Sequence, residues 1–145
     1  MLGSSRLVAF LPSRDLGVAK RFFTQTLGLP LLAIEPGALT YKVEGTALRV
    51  THVKEFTPQP FTVLGWWVED IHATVDALAA AGVELLRYPQ FEQDERGLWT
   101  PPGSRSRVAW FEDPDGNVLS VTGFGPGEKG RPAPTPETEP SGPAN

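Results

Sequence analysis

The chain has 145 residues, of which 40% are apolar and 21% charged, with no cysteine and a formal net charge of −4. That length suits one domain with its own core, and the missing cysteines exclude disulfides, thiolate chemistry and cysteine-type zinc sites. The acidic balance, with one short basic run at Arg105–Arg107, argues against nucleic-acid binding, and no run of about 18 apolar residues is present to cross a membrane.

Met1–Arg6 lacks the basic segment and long apolar run of a signal peptide. Together with the absence of cysteine, this sets the expectation of a cytoplasmic protein.

An apolar run, Leu7–Leu11, reads as a first strand. After it, Leu16, Ala19, Phe22, Phe23 and Leu27 recur with helical periodicity. Asp15 is placed to cap that helix and Gly28 to end it. Strand-like segments follow at Leu31–Glu35, Leu39–Val43 and Ala47–His52. The pattern then repeats. Val63–Val68 is apolar, Asp70 caps, Ile71, Val75 and Leu78 form a buried stripe, and Gly82 ends the helix. Strands are predicted at Val83–Arg87, Arg107–Phe111 and Val118–Val121. The closing strands align, Gly45–Thr51 with Gly116–Thr122. The second half carries an insertion, Tyr88–Ser104, long enough to act as a lid or binding loop.

This spacing predicts an α+β domain over 1–124: two tandem βαβββ modules, 5–53 and 61–124, forming a curved mixed sheet around a cleft. From Gly125 to Asn145 the chain is rich in proline and glycine and has no large apolar residue, so a disordered tail is expected.

Asp15-Leu16, Phe22-Phe23 and Leu27-Gly28-Leu29, followed by Asp113-Pro114-Asp115-Gly116-Asn117, resemble the motifs of the vicinal oxygen chelate superfamily. That superfamily includes glyoxalase I, extradiol dioxygenases, and fosfomycin- and bleomycin-resistance proteins. The resemblance covers about Arg6 to Phe124 and implies a homodimer. In metal-dependent members, the first and last strands of each module supply histidine or glutamate ligands to a cation in the cleft. Carried onto this chain, those positions hold Val8, Arg49, Val63 and Ser120. Valine has no donor and arginine has the wrong charge, so the set is unfit for a divalent metal. His52 falls on the opposite strand face from Arg49, and His72 lies in the first turn of a helix. Neither rescues the site, and no cofactor is expected.

What replaces the donors is largely apolar. Alternation places Val8 and Phe10 on the cleft face of the first strand, and Val63, Gly65 and Trp67 on that of the fifth. Gly65 is expected to leave space there, while Leu64, Trp66 and Val68 face the helix. Trp99, in the inserted loop, either clasps the cleft or packs on a sheet edge. Trp110 and Phe111 lie on opposite faces, and alternation does not choose between them; Trp110 is carried as a candidate lining residue. Arg49 offers a planar cation to an anionic or aromatic ligand, or pairs with an acidic neighbour.

The resulting expectation is a metal-free binder of an aromatic or hydrophobic small molecule, resembling the bleomycin-resistance branch. Its ligand-binding candidates are Val8, Phe10, Arg49, Val63, Trp67, Trp99, Trp110 and Ser120, with no catalytic residue. One alternative is a glyoxalase- or dioxygenase-like metalloenzyme with a displaced site, which requires His52 and Glu69 to converge. Another is a structural or regulatory module whose cleft is filled by Trp67 and Phe10.

Overall fold

A computed structural model describes residues 1–128. Strand β1 (Val8–Ser13) leads into helix α1 (Leu16–Lys20), which continues without a break as a π-helix over Arg21–Thr26. The Asp15 carboxylate caps α1 by accepting from the N–H groups of Gly17 (2.9 Å) and Val18 (3.1 Å). The wider π turns allow both phenylalanines to turn inward. Phe23 is fully buried, half-buried Phe22 meets it edge to face at 5.2 Å, and the Leu27 N–H reaches back to the Phe22 carbonyl.

Strands β2 (Leu31–Glu35), β3 (Ala38–Val43) and β4 (Thr46–His52) complete a four-stranded sheet in the order β1-β4-β3-β2, with β1 parallel to β4. The second half has β5 (Thr62–Val68), α2 (Ile71–Ala80), β6 (Arg107–Glu112) and β7 (Val118–Gly123). Its three strands form a separate sheet, β5-β7-β6, again with the first and last strands parallel. Asp70 caps α2 through the Ala73 N–H at 3.0 Å.

The expected strand at Val83–Arg87 does not form. Only a bridge between Leu85 and Phe111 and one bond from the Leu86 N–H to the Trp110 carbonyl (2.7 Å) remain. Helix α2 holds the Val83 N–H through the Leu78 carbonyl, and the inserted loop claims the Leu86 carbonyl and the Arg87 side chain. The Gln93 amide donates to the Leu86 carbonyl at 2.9 Å and accepts from the Tyr88 N–H at 2.7 Å. The Arg87 guanidinium donates to the carbonyls of Asp94 and Glu95. The strands of the α+β fold are divided between a four-stranded and a three-stranded sheet.

Both sheets turn their helix-bearing face into one shared core. Leu11, Phe23, Leu39, Tyr41, Leu48 and Val50 of the first module are continuous with Ile71, Val75, Ala109, Phe111, Leu119 and Val121 of the second. Leu27 and Leu29, just past the first helix, line a small cavity with Trp66, Leu78 and Phe111. Trp66 stacks on Phe111 with centroids 6.5 Å apart. The predicted inward set of Leu64, Trp66 and Val68 does pack against this core.

A polar seam also joins the modules. In the Asp113–Asn117 turn, Gly116 has φ +88°, a left-handed conformation that favours glycine. The Asn117 amide donates to the Pro12 carbonyl on β1 (3.0 Å) and to the Asp113 carboxylate (2.8 Å). The Arg14 N–H donates to Asp115 at 2.8 Å, and its guanidinium lies 4.2 Å from the centre of the Phe56 ring in the linker. Of the predicted tail, Gly125–Glu128 is described, with Glu128 accepting from Arg107 at 3.2 Å; the rest lies outside the described residues.

Gly65 does not leave open space. A Cβ there would come within 2.6 Å of the Ser120 hydroxyl, its register partner on β7. Gly65→Ala should therefore cost roughly 1–3 kcal/mol of stability. The double variant with Ser120→Ala should recover most of that in denaturant melts; equal costs with and without Ser120 would refute the close approach. Burial holds the Asp113 carboxyl above the ordinary carboxylate value, opposed by bonds from the Asn117 side chain and backbone and the Asp115 N–H; the Asp115 charge raises it further. A carboxyl raised on folding contributes stability below its unfolded pKa and loses it as pH rises through the folded pKa. The stability of the protein relative to Asp113→Asn should fall across that window in urea melts at stepped acidic pH, and a flat difference would count against it.

Candidate functional site

With the helix-bearing faces used up, the other face of each sheet points outward. On the first sheet, alternation with buried Leu39, Tyr41, Leu48 and Val50 puts Val8, Phe10, Thr40, Arg49 and Thr51 on this outer face. Val8 is 41% and Phe10 63% exposed. A groove of about 460 Å³ lies at one end of it, lined by Arg6, Leu7, Val8, Leu32, Lys42 and Ala47.

Arg49 donates to the Glu35 carboxylate at 2.8 Å. Glu35 on β2 sits opposite Ala38 of β3, and Arg49 on β4 sits opposite Thr40 of β3. The ion pair therefore crosses β3 between Ala38 and Thr40, both of which are buried. Of the two roles open to Arg49 from sequence, pairing with an acidic neighbour is present.

On the second sheet, Val63, Gly65 and Trp67 of β5, Ser120 and Thr122 of β7, and Val108 and Trp110 of β6 share the outer face. Val63 is 42% exposed, and half-buried Trp67 meets Phe124 edge to face at 5.4 Å. Phe111 takes the core side, leaving Trp110 outside. There it joins a group built largely by the inserted loop. Phe91 stacks on Trp110 at 5.3 Å and lies 4.4 Å from Trp99, and Tyr88 meets Trp110 edge to face at 5.2 Å. Trp99 exchanges two backbone hydrogen bonds with Val108 (2.9 and 2.8 Å), so it packs along the β6 edge while its ring joins the aromatic group. Burial, and secondarily the Glu112 charge, raise the Tyr88 hydroxyl above its ordinary pKa.

Val8 and Arg49 lie on one sheet and Val63 and Ser120 on the other, and their chemistry does not fit a divalent cation. His52 ends β4, exposed, whereas Glu69 follows β5. Among the described residues no group of three or more histidine, aspartate or glutamate side chains is placed to hold a metal. His72 contacts the Arg107 guanidinium at 3.2 Å beside α2. Sequence reasoning missed Tyr88, Phe91, Glu35, Thr40 and Thr51. Their signals were two aromatics in a polar loop, and a threonine between the core residues Leu39 and Tyr41.

The family model of the glyoxalase/bleomycin resistance protein/dioxygenase superfamily matches residues 6–121. Among solved structures, TnmS3, an antibiotic binding protein from Streptomyces sp. CB03234, is 28% identical with a TM-score of 0.63, covering 86% of this chain and 98% of that one. A glyoxalase/bleomycin resistance protein/dioxygenase from Nocardioides is 19% identical (TM-score 0.63; 90% and 89% covered). A glyoxalase family protein from Enterococcus faecalis is 18% identical (TM-score 0.63; 84% and 99% covered). No curated protein sequence matches this chain. The paired modules, the Asp113–Asn117 turn and the family match together establish that the chain belongs to the glyoxalase/bleomycin resistance protein/dioxygenase superfamily.

Proposed function

We propose that this chain is a metal-independent small-molecule binding protein that sequesters an aromatic or hydrophobic natural product, as an antibiotic-resistance protein does. The observation that carries this reading is the aromatic group of Tyr88, Phe91, Trp99 and Trp110 on the outer face of β6, with Trp67 on the same face. Stacked aromatic walls bind flat apolar molecules by burial and ring contact, without any chemical step. The likeness to an antibiotic binding protein at 28% identity supports the same reading. The unfit donor set at Val8, Arg49, Val63 and Ser120 argues against a metal-assisted reaction.

The working unit in this reading is a homodimer. Strands β1 and β5 end their sheets, and Val8, Phe10, Phe61 and Val63 along them are exposed. Exposed apolar edges of this kind invite pairing with another chain. The first sheet of one copy would face the second sheet of the other and close the ligand between them. We place the protein in the cytoplasm on its lack of cysteine; no helix among the described residues is long and apolar enough to cross a membrane.

Native mass spectrometry of protein purified without chelator should give twice the chain mass and no bound divalent metal. A stoichiometric metal lost on acidification would overturn the reading. In equilibrium dialysis, Trp67→Ala and Trp110→Ala should each weaken the binding of naphthalene, a flat apolar probe, by tenfold or more, roughly the loss of a buried aromatic anchor. Unaltered affinity in both would remove this face from the site.

A further inference from the structure

Two hydroxyls on the outer face of the first sheet lack partners. Thr40 is only 9% exposed, and neither its Oγ1 nor that of Thr51 has a hydrogen-bond partner among the described residues. A buried hydroxyl left unpaired is costly, and an unpaired group in a native structure calls for an explanation. Alternation aims both away from the core, since Leu39, Tyr41 and Val50 occupy the other side. Thr51 sits opposite Ala38 and Thr40 opposite Arg49, so the two threonines are diagonal neighbours, roughly 7–8 Å apart. Arg49 lies opposite Thr40 and two residues before Thr51 on β4, with one of its five N–H donors spent on Glu35 across β3.

We infer that Thr40, Thr51 and Arg49 form a polar seat for an uncharged oxygen substituent, a phenolic hydroxyl or ring carbonyl, on the aromatic ligand. This rests on the binding function proposed above and adds the ligand's chemistry to it. The seat combines two hydroxyls, each able to donate and accept, with the unspent guanidinium donors, so it matches an oxygen better than a nitrogen cation. Glu35 balances the Arg49 charge at 2.8 Å and makes the seat close to neutral. A carboxylate or sulfonate would meet that glutamate without a net positive charge to offset its own desolvation. A neutral phenol or carbonyl pays no such cost. The apolar strip of Val8 and Phe10 on the adjoining strand would then carry the rest of the ring system.

The test compares three probes of one shape, naphthalene, 2-naphthol and 2-naphthoate, by equilibrium dialysis against the full chain. The unsubstituted protein should bind 2-naphthol about tenfold more tightly than naphthalene, the scale of one good hydrogen bond, and more tightly than 2-naphthoate. In Thr40→Val and Thr51→Val the ratio of 2-naphthol to naphthalene affinity should fall toward one. The free Thr40→Val protein should also melt at a higher temperature, because an unpaired buried hydroxyl is gone. Glu35→Gln should move the preference toward 2-naphthoate. Binding of all three probes with equal affinity, or a ratio unmoved by the threonine variants, would overturn the seat and leave the aromatic binder standing. A preference for 2-naphthoate in the unsubstituted protein would overturn its neutrality. Failure of every probe to bind would bring down the binder and the seat together.

Discussion

The structure depends on one packing decision, the sharing of a single core between the helix-bearing faces of the two modules. A two-module chain of this size has enough apolar side chains to bury one face of each sheet, not both. Phe23, Tyr41 and Leu48 from one module and Phe111, Leu119 and Val121 from the other commit those faces to each other. Val8, Phe10, Val63 and the Trp110 group are displayed on the two outward faces. Those residues contribute little to the chain's own folding, so their apolar character calls for an account in terms of what the faces meet. The seam of Arg14, Asp115, Asn117 and Pro12 fixes how the modules sit, and therefore how the outer faces are presented.

The positions that hold a cation in metal-dependent members of the superfamily have been converted in two physical ways. On β1 and β5 those positions hold valines, which offer no donor and leave a charge unsolvated. On β4 and β7 they have become Arg49 and Ser120, and each is tied to a neighbour. Arg49 is balanced by Glu35, while Ser120 fills the space that Gly65 lacks a side chain to occupy. In the proposed binder, hydrogen-bonding groups on one sheet and rings on the other would stand where a metal would focus charge, holding a molecule rather than promoting a reaction.

Much of the fold was legible because its determinants are local. Both capping aspartates, the glycines ending the helices, and the alternation that separates Trp66 from Trp67 or Phe111 from Trp110 act over a few residues. The failures arose where a distant group competes for the backbone. Val83–Arg87 reads as a strand by composition, but Gln93, several residues on, takes the hydrogen bonds that a neighbouring strand would have used. Phe22 and Phe23 fit an α-helical stripe, and the extra residue of a π turn leaves no mark in that spacing. Gly65 was read as empty space because sequence does not reveal that Ser120 stands opposite it. The candidate site was legible to the same degree. The faces of the β1, β4 and β5 residues followed from parity, whereas the face of Trp110, the Glu35 partner of Arg49 and the loop aromatics required the register of three strands and the path of the insertion.

That insertion also decides which sheet edges remain open. A row of free backbone groups at a sheet edge is a standing invitation to pair, and proteins blunt the edges they do not use. The β6 edge is covered, because Trp99 exchanges bonds with Val108, and Leu85 and Leu86 lie against Phe111 and Trp110. The β2 edge is short, shifts register between Leu31 and Ala33, and is bounded by Pro30 and Pro36. Strand β1 carries Pro12 and β5 shifts register between Thr62 and Leu64, yet both end their sheets among the described residues, with exposed Val8, Phe10 and Val63 on their outer faces. Covering the β6 edge while β1 and β5 stay open favours those two strands as the ones that pair in the proposed dimer. Pairing there would bring the polar strip of Thr40, Arg49 and Thr51 into opposition with the tryptophans of the other sheet. The loop that assembles the aromatic wall is in this way also the element that closes the β6 edge of the sheet carrying it.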